Sequence, residues 1–307
     1  VVLNAGGVVR FAARVDRGTD TPVIVLVDRR QVGQGVMLGA SFLREFPAGR
    51  SLAALVDTAA PFVMADRFDT GGLVTADFSR VGTRGASWTS AALSLDGLDI
   101  GPPTSAGAFG FYPDLHAFES VAVTSGMLPV DIGTAGVNIA LTPRRPGDAV
   151  HASLDASFTG PRWVSEGSSV FNAPPIAALD HWADVNVQAS APVTKDVGAF
   201  VSLTRTQIGF TERGQTAVSN ASVSSAFAHV VARPSAHDEI RIIGAGQRLS
   251  HRFDGRRQFA NPNVDQRDTL GQVQVSWDRQ SNHGSQSSVI VGVQRSALTP
   301  DVLSTAA

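Results

Sequence analysis

Four short segments organise the sequence: Arg80-Val-Gly-Thr-Arg-Gly-Ala-Ser87, Leu93-Ser-Leu-Asp-Gly-Leu-Asp99, Phe118-Glu-Ser-Val-Ala-Val-Thr-Ser-Gly126 and Gly133-Thr-Ala-Gly-Val-Asn-Ile-Ala-Leu-Thr142. Each has an apolar stretch of strand length and a glycine or Asp-Gly, residues that favour tight turns. None places a nucleophile beside a base, groups metal ligands or begins a phosphate-binding helix. The region from residue 80 to 145 therefore predicts a compact core with a mechanical or gating role.

The composition excludes several classes of function. Charged residues make up 17% of the 307 residues, below the typical quarter, and the 30 glycines favour a strand-rich fold with many turns. The net charge of −2 and the lack of a basic stripe argue against nucleic-acid binding. The sequence has no cysteine, which excludes disulfides and thiol chemistry, and its seven histidines are scattered. We therefore predict a protein that is not an enzyme, with no catalytic residue, metal site or cofactor.

A short helix precedes the four segments. Ser51 has the position of an N-cap, and Leu52, Leu55 and Val56 fall on one helical face before Pro61 ends the helix. Further along, Leu93–Leu95, Phe118–Val123 and Val137–Leu141 have the length and residue types of strands. Together these elements predict an α+β domain.

From Val150 onward, apolar and polar residues alternate in seven segments of roughly ten residues, the length of a tilted strand that crosses a bilayer. One apolar residue from each segment marks the pattern: Leu154, Val187, Val201, Val230, Ile242, Val275 and Val291. Residues 160–182, 208–222 and 249–269 have the composition of long loops. Residues 192–196, 233–238 and 280–286 have that of short turns. Alternating long and short connections are typical of an outer-membrane barrel.

A β-sandwich gives the same alternation, because one face of each strand is buried and the other is wet. Two features favour a membrane barrel over a soluble β-sandwich. The apolar faces carry no charge in mid-strand, and Arg205 is expected at the outer end of its strand, where its cost in lipid is small. The opposite faces carry Asp155, Asp184, Asn186, Gln272 and Gln274, as the wall of an aqueous lumen would. Seven strands cannot close a receptor-sized barrel, so an incomplete barrel is expected.

The order of the four central segments resembles the plug domain of TonB-dependent outer-membrane receptors. In that family an Arg-Gly pair precedes a strand ending in Asp-Gly, and a glutamate-containing strand, a glycine-rich turn and an Asn-Ile strand follow. The start of the chain resembles the small sandwich of the carboxypeptidase-regulatory-like (Oar-like) subgroup. The domains implied are the end of that sandwich or a linker at 1–20, a linker at 21–40, the plug at 41–148 and antiparallel transmembrane barrel strands at 149–307.

The resemblance also implies roles for particular residues. The set implied to form the plug core and gate is Arg84, Gly85, Asp96, Gly97, Glu119 and Gly126, with Glu119 or Asp96 as the carboxylate partner of a buried Arg84. The set implied to face a ligand from loops is Phe109, Phe111, Trp163, Trp182, Phe253 and Arg256. Val23, Ile24 and Val25 are implied to pair with TonB as an added strand, although an ordinary strand is also consistent with this run.

The function implied is import of a scarce solute across the outer membrane of a Gram-negative-type bacterium. The partners implied are TonB with its inner-membrane energising complex, outer-membrane lipid and an unidentified small-molecule ligand. Two alternatives stay open from the sequence. One is a non-transporting outer-membrane adhesion or surface protein that keeps the plug fold, and the other is a soluble β-sandwich binding protein.

Overall fold

The computed structural model of the chain shows two assemblies of strands. It describes residues 34–45, 51–65, 73, 80–83, 85–101, 111–126, 128, 134, 136–164, 177–212, 218–252, 265–280 and 286–301. We call the first assembly, which ends at Pro143, the plug unit. We call the second, which begins at His151, the strand wall.

The plug unit combines two helices with short strands. Its elements are β1 Gln34–Gly39, α1 Ala40–Glu45, α2 Leu52–Ala59, β2 Val63–Ala65, β3 Val81–Thr83, β4 Ala91–Leu95, β5 Leu98–Asp99, β6 Phe118–Ser125 and β7 Val137–Pro143. Five strands form a mixed sheet in the order β1-β6-β7-β4-β5, in which β4 and β7 are parallel, and β2 pairs with β3 separately. Strand β1 lies within residues 21–40, the predicted linker. The α+β architecture predicted from the sequence is confirmed.

The predicted helix forms as α2, with Ser51 as its N-cap. The Ser51 hydroxyl accepts a hydrogen bond from the Ala54 N–H at 3.0 Å and so satisfies one donor of the first turn. Leu55 and Val56 are buried, and they pack in one apolar cluster with the central sheet residues Leu93 and Ile139. Helix α2 therefore covers the sheet and closes the core of the plug unit.

The strand wall is a seven-stranded antiparallel meander. Its strands are β8 His151–Thr159, β9 Ala177–Pro192, β10 Val197–Glu212, β11 Ser219–Ala232, β12 Asp238–Arg252, β13 Asp265–Gln280 and β14 Gln286–Asp301. Each strand pairs with its neighbours in the chain, so the spatial order follows the sequence. The antiparallel wall confirms the predicted succession of seven strands after the plug.

The wall strands are longer than the predicted ten residues, since β9, β10, β13 and β14 each contain 16. They extend into residues 160–182, 208–222 and 249–269, which were predicted as long loops. The reason is that backbone pairing continues past the point where apolar and polar side chains stop alternating regularly. Ser250, for example, pairs in register with Arg267. The connections at this end, which we call the long-loop end, shorten to residues 160–176, 213–218 and 253–264.

The opposite end of the wall, the short-turn end, has connections at residues 193–196, 233–237 and 281–285. The plug unit joins the wall at this end through residues 144–150. Among the residues that the model describes, no helix has the length and apolar character needed to cross a membrane.

Candidate functional site

The contact between the plug unit and the strand wall is the candidate functional site. The wall presents a row of polar side chains to the plug unit, and these side chains are almost completely buried: Asp184, Asn186, Gln188, Ser202, Thr206, Gln272, Gln274 and Ser276. Buried polar groups are costly unless they are hydrogen-bonded, so the partners of this row decide how the plug is held.

Asp114 of the plug unit is the centre of one hydrogen-bond network. It is the N-cap of the short 3₁₀ turn Leu115–Ala117, and its Oδ1 accepts from the His116 N–H at 3.1 Å. Its Oδ2 accepts from the Ser202 hydroxyl at 2.8 Å, the Thr204 hydroxyl at 2.5 Å and the Asn186 amide at 3.1 Å. One plug carboxylate thus accepts hydrogen bonds from two neighbouring wall strands, β9 and β10.

The side-chain amides of wall glutamines bind the plug backbone. Gln274 Nε2 donates to the Leu95 carbonyl at the end of β4 at 3.3 Å, and Gln294 Nε2 donates to the Ile100 carbonyl at 3.3 Å. Gln247 accepts from the Tyr112 N–H at 2.8 Å and donates to the Tyr112 carbonyl. These contacts bind plug backbone groups at the end of β4 and in the segments around Ile100 and Tyr112, and they distribute the attachment over β12, β13 and β14.

A charged network lies at the short-turn end. Arg241 of β12 forms an ion pair with Asp278 of β13 at 2.7 Å, and its Nε lies 3.1 Å from Oδ2 of the plug residue Asp96. Arg145, between the two units, forms a bidentate pair with Glu239 at 2.7 and 2.9 Å. Ion pairs between the plug unit or its connection and the wall therefore complement the hydrogen bonds deeper in the wall.

Burial has the largest influence on the ionisation of Asp96. The Asp96 carboxylate and Arg241 Nε are close but not aligned for a hydrogen bond, and neither atom has another hydrogen-bond partner. Burial consequently raises the pKa of Asp96 above its ordinary value, and the attraction of Arg241 only partly opposes this shift. At Arg145, the hydrogen bond to Glu239 raises the pKa of the guanidinium.

Apolar contacts fill the middle of the interface. The rings of Phe118 in β6 and Phe227 in β11 meet edge to face at 5.6 Å, and Phe200 packs at 6.4 Å from Phe227. Ile243 and Leu270 of the wall belong to the same buried cluster as the plug core. The plug unit and the wall thus share one continuous core, with polar networks on either side of it.

The residues predicted to form the plug core and gate lie in turns, at an exposed strand position or outside the described residues. Gly85, Gly97 and Gly126 have φ values of +88°, +87° and +71°, and Asp96 has +48°. The predicted Asp-Gly turn therefore forms between β4 and β5, in a conformation that suits these two residues. Glu119 is exposed on β6. Arg84 lies outside the described residues, so its pairing with Asp96 or Glu119 stays a prediction.

The residues predicted to face a ligand from loops are not all in loops. Phe111 is 5% exposed and belongs to the plug core, and Trp182 is 6% exposed and lies in strand β9 rather than in a loop. Trp182 is buried because β9 begins at Ala177 and turns this side chain towards Ile208 and Val223 on the plug side of the wall. Trp163 is exposed and packs against Phe158 at 5.5 Å. A further set lies outside the described residues: Phe109, Phe253, Arg256, Val23, Ile24 and Val25.

The described residues form cavities at the interface, of which two touch the plug side chains. One of about 410 Å³ is bounded by α1, the plug and strands β8 to β10, and it is lined by charged and polar side chains that include Arg44, Arg144, His151 and Asp155. A much smaller one of about 50 Å³ lies between Phe111 and Asp184. Within the described residues no three His, Cys, Asp or Glu side chains converge as a metal site would require.

Sequence reasoning missed Asp114 and Arg241 as attachment points. Asp114 lies between Pro113 and three residues that show neither helical nor strand periodicity. The only local indication of a role was that an aspartate at this position can cap a short helical turn. Arg241 fits the alternation of inner and outer side chains in its strand, but nothing in the sequence indicates that it contacts Asp96. Both roles depend on which plug turn lies against which wall strand.

No family model matches the sequence, and a search of curated proteins finds no significant match. Several solved structures have a similar fold. The siderophore receptor PirA from Pseudomonas aeruginosa is 12% identical with a TM-score of 0.63, over 87% of this chain and 41% of that one. The outer-membrane transporter YddB from Escherichia coli is 16% identical with a TM-score of 0.64, over 85% and 38%. The ferripyoverdine receptor of the outer membrane of Pseudomonas aeruginosa, bound to ferripyoverdine, is 12% identical with a TM-score of 0.63, over 88% and 35%.

The chain therefore spans about two fifths of the length of the structures that it matches. The shared part contains both assemblies, because the matched share of this chain is 85% or more. At this level of identity the likeness concerns the fold. The chain has the fold of the plug domain and the first barrel strands of TonB-dependent outer-membrane receptors.

Proposed function

We propose that this chain is the plug and the first part of the barrel of a TonB-dependent receptor in the outer membrane of a Gram-negative-type bacterium. The receptor imports a scarce solute, and the plug unit gates the lumen. TonB, energised by its inner-membrane complex, is the partner that loosens the plug, and Val23, Ile24 and Val25 remain the predicted contact strand. The ligand class that we would test first is ferric chelates, because ferripyoverdine, ferric enterobactin and ferric citrate are named for similar structures.

The observation that supports gating is the polarity of the plug–wall contact. Asp114, Gln247 and Gln274 hold the plug through hydrogen bonds to the wall. An uncharged bond of this kind has a net value of only about 0.5–1.5 kcal/mol, and a bond to the Asp114 carboxylate about 1.5–3 kcal/mol, because water can replace either partner once the contact opens. A plug attached in this way can separate from the wall when water enters, whereas a fully apolar contact would lose its whole burial energy.

The test is to lock the plug to the wall. A Cβ at Gly292 of β14 would overlap a terminal methyl of Leu98 of β5, so the Leu98 side chain packs directly against the Gly292 backbone. Leu98→Cys removes that methyl, and with Gly292→Cys it places two sulfurs within reach of a disulfide. The 307 residues contain no cysteine, so the pair is unambiguous within this chain. We expect the oxidised full-length protein to lose uptake of the labelled ferric chelate, and a reducing agent to restore it.

The matched control is a disulfide within the wall. Val201 and Ala228 are register partners on β10 and β11, and a Val201→Cys/Ala228→Cys pair joins two wall strands without touching the plug. This control should transport in both redox states. Equal uptake by the oxidised and reduced Leu98–Gly292 pair would contradict the gating role, whereas an absence of uptake by the wild-type protein would favour the non-transporting surface protein.

A further inference from the structure

The outward face of the strand wall carries four exposed arginines towards the long-loop end. They are Arg205 of β10, Arg248 of β12, Arg267 of β13 and Arg295 of β14, and we call them the arginine band. The sequence predicted no charge in mid-strand on this face, but Arg248 and Arg295 lie well inside their strands. They were missed because the alternating segments were ended at Ile242 and Val293, short of the actual strand ends.

Register places the band across neighbouring strands. Arg205 pairs with Ser224, and Ser224 pairs with Arg248. Strands in a sheet are about 4.8 Å apart, so the backbones of Arg205 and Arg248 are about 10 Å apart. Arg248 pairs with Thr269, two residues from Arg267, and Arg295 pairs with Gly271. The band therefore spans five consecutive strands, with hydroxyl side chains between the guanidinium groups.

The partners of these arginines differ from those at the short-turn end. There, Arg145, Arg233, Arg241 and Arg279 all lie within 4 Å of a carboxylate. In the band, Arg205 donates to the neutral Ser224 hydroxyl at 2.6 Å and also lies beside the Gln207 amide. Among the described residues, no carboxylate forms an ion pair with Arg205, Arg248 or Arg295. The protein thus neutralises one set of arginines and leaves these three for an external anion.

The surroundings of Arg205 form a polar groove. It has a volume of about 360 Å³, and its lining includes His181, Gln207, Asn220, Ser222 and Ser250. Gly209 is needed beneath it, because a Cβ there would overlap the His181 ring. Asp180 is paired with its neighbour His181 at 2.8 Å. The groove therefore offers hydrogen-bond donors and a guanidinium to a group that approaches from outside the wall.

We propose that the arginine band binds the phosphate groups of an anionic glycolipid in the outer leaflet. This inference rests on the proposed function, because the outward face of an outer-membrane barrel meets lipid and its longer loops are extracellular. Guanidinium groups match phosphate oxygens in a bidentate geometry, and a spacing of about 10 Å suits a headgroup with more than one phosphate. An arginine facing lipid is tolerated near the interface, which is where such headgroups lie.

The experiment uses the purified full-length protein in detergent and fluorescent lipopolysaccharide as the probe. We expect Arg205→Gln/Arg248→Gln to raise the half-saturating lipopolysaccharide concentration about 25-fold, from about 5-fold for each basic side chain at an anionic membrane surface. Arg205→Lys/Arg248→Lys keeps the charge and should recover most of the binding. Arg279→Gln is the matched control, because Arg279 is an exposed arginine of the same wall at the short-turn end.

Three results would overturn the proposal. They are unchanged binding by the double glutamine variant, an equal loss in Arg279→Gln, and equal binding of lipopolysaccharide from which the phosphates have been removed. Each variant is also fractionated and assayed for ferric-chelate uptake. If the wild-type protein does not reach the outer membrane, the proposed function fails. If it does and transports, but binds no lipopolysaccharide, only the arginine band proposal fails.

Discussion

The two faces of the strand wall differ in polarity: buried polar side chains lie on the inner face around its apolar middle, and apolar side chains are exposed on the outer face. On β13, Gln272 and Gln274 are 3% and 1% exposed, while Val273 and Val275 between them are 56% and 43% exposed. A water-soluble sheet arranges these faces the other way round, with its apolar side chains inside. The same strand therefore lies between two different environments, the plug on its inner face and an apolar medium on its outer face.

The inner face is polar because its partner, the plug, presents backbone carbonyls and a carboxylate. The outer face is apolar over the centre of the wall, where Val201, Ile242, Val275 and Val291 are exposed on four strands. Leaving so much apolar surface in water would be unfavourable by about 25 cal/mol per Å². This pattern favours a lipid-covered wall over the β-sandwich that the sequence alone left open.

The largest predicted effect comes from placing a charge on the outer face. Val275→Arg should destabilise the full-length protein in lipid vesicles by about 2–4 kcal/mol, the cost of arginine near the bilayer midplane. The measurement is equilibrium unfolding by guanidinium in vesicles. Val275→Met is the control, and it should stay within about 0.5 kcal/mol of wild type because it remains apolar. Equal stability of the arginine and methionine variants would mean that water, not lipid, covers this face.

The next effect tests the inner face at the adjacent residue. Gln274→Met keeps the length of the side chain but removes its hydrogen bonds to the Leu95 carbonyl and to Gln272. Leaving such buried groups unpaired should cost about 1–3 kcal/mol. The same unfolding assay measures the loss, and faster hydrogen exchange in β4 would locate it at the plug. Val275→Met again serves as the control, since it makes the same substitution on the other face of the strand.

Sequence reasoning predicted the features that repeat along the chain. The alternation in β9, β10 and β13 correctly separated inner from outer side chains, because side-chain direction in a strand has a strict period of two. The inner polar side chains were expected to line an aqueous lumen, but Asp184, Asn186, Gln272 and Gln274 are buried. The cap of α2 was predicted from Ser51 and the spacing of Leu52, Leu55 and Val56. The Asp96-Gly97 turn was predicted from its residue types, which tolerate positive φ.

The rest depends on contacts between distant segments. Trp182 and Phe111 were expected in loops, but both are buried where the plug meets the wall or within the plug core. The strand ends were misplaced because backbone pairing needs no apolar side chains, as the pairing of Ser250 with Arg267 shows. The Asp114 network joins residues 72 to 90 positions apart. No local pattern specifies such contacts.

The smallest predicted effect concerns Asp96, a plug carboxylate in the ion-pair network at the short-turn end. Its pKa is raised by burial, so the folded protein holds the proton more tightly than the unfolded chain does. The stabilising contribution of Asp96 is thus fully present below its ordinary pKa of 3.8, and it is lost as the pH rises through the raised pKa. Asp96→Asn removes the charge and keeps the positive φ, so it should stabilise the protein at neutral pH by less than about 1 kcal/mol.

The pH dependence of the difference is the decisive measurement. Unfolding of wild type and Asp96→Asn should differ at pH 7 and converge as the pH falls towards 3.8. Asp278→Asn is the matched control, because Asp278 forms a 2.7 Å ion pair with the same arginine and its loss should destabilise the protein at neutral pH. If Asp96→Asn also destabilises, the attraction of Arg241 outweighs burial. The contact would then be a true ion-pair lock between plug and wall rather than a tolerated buried charge.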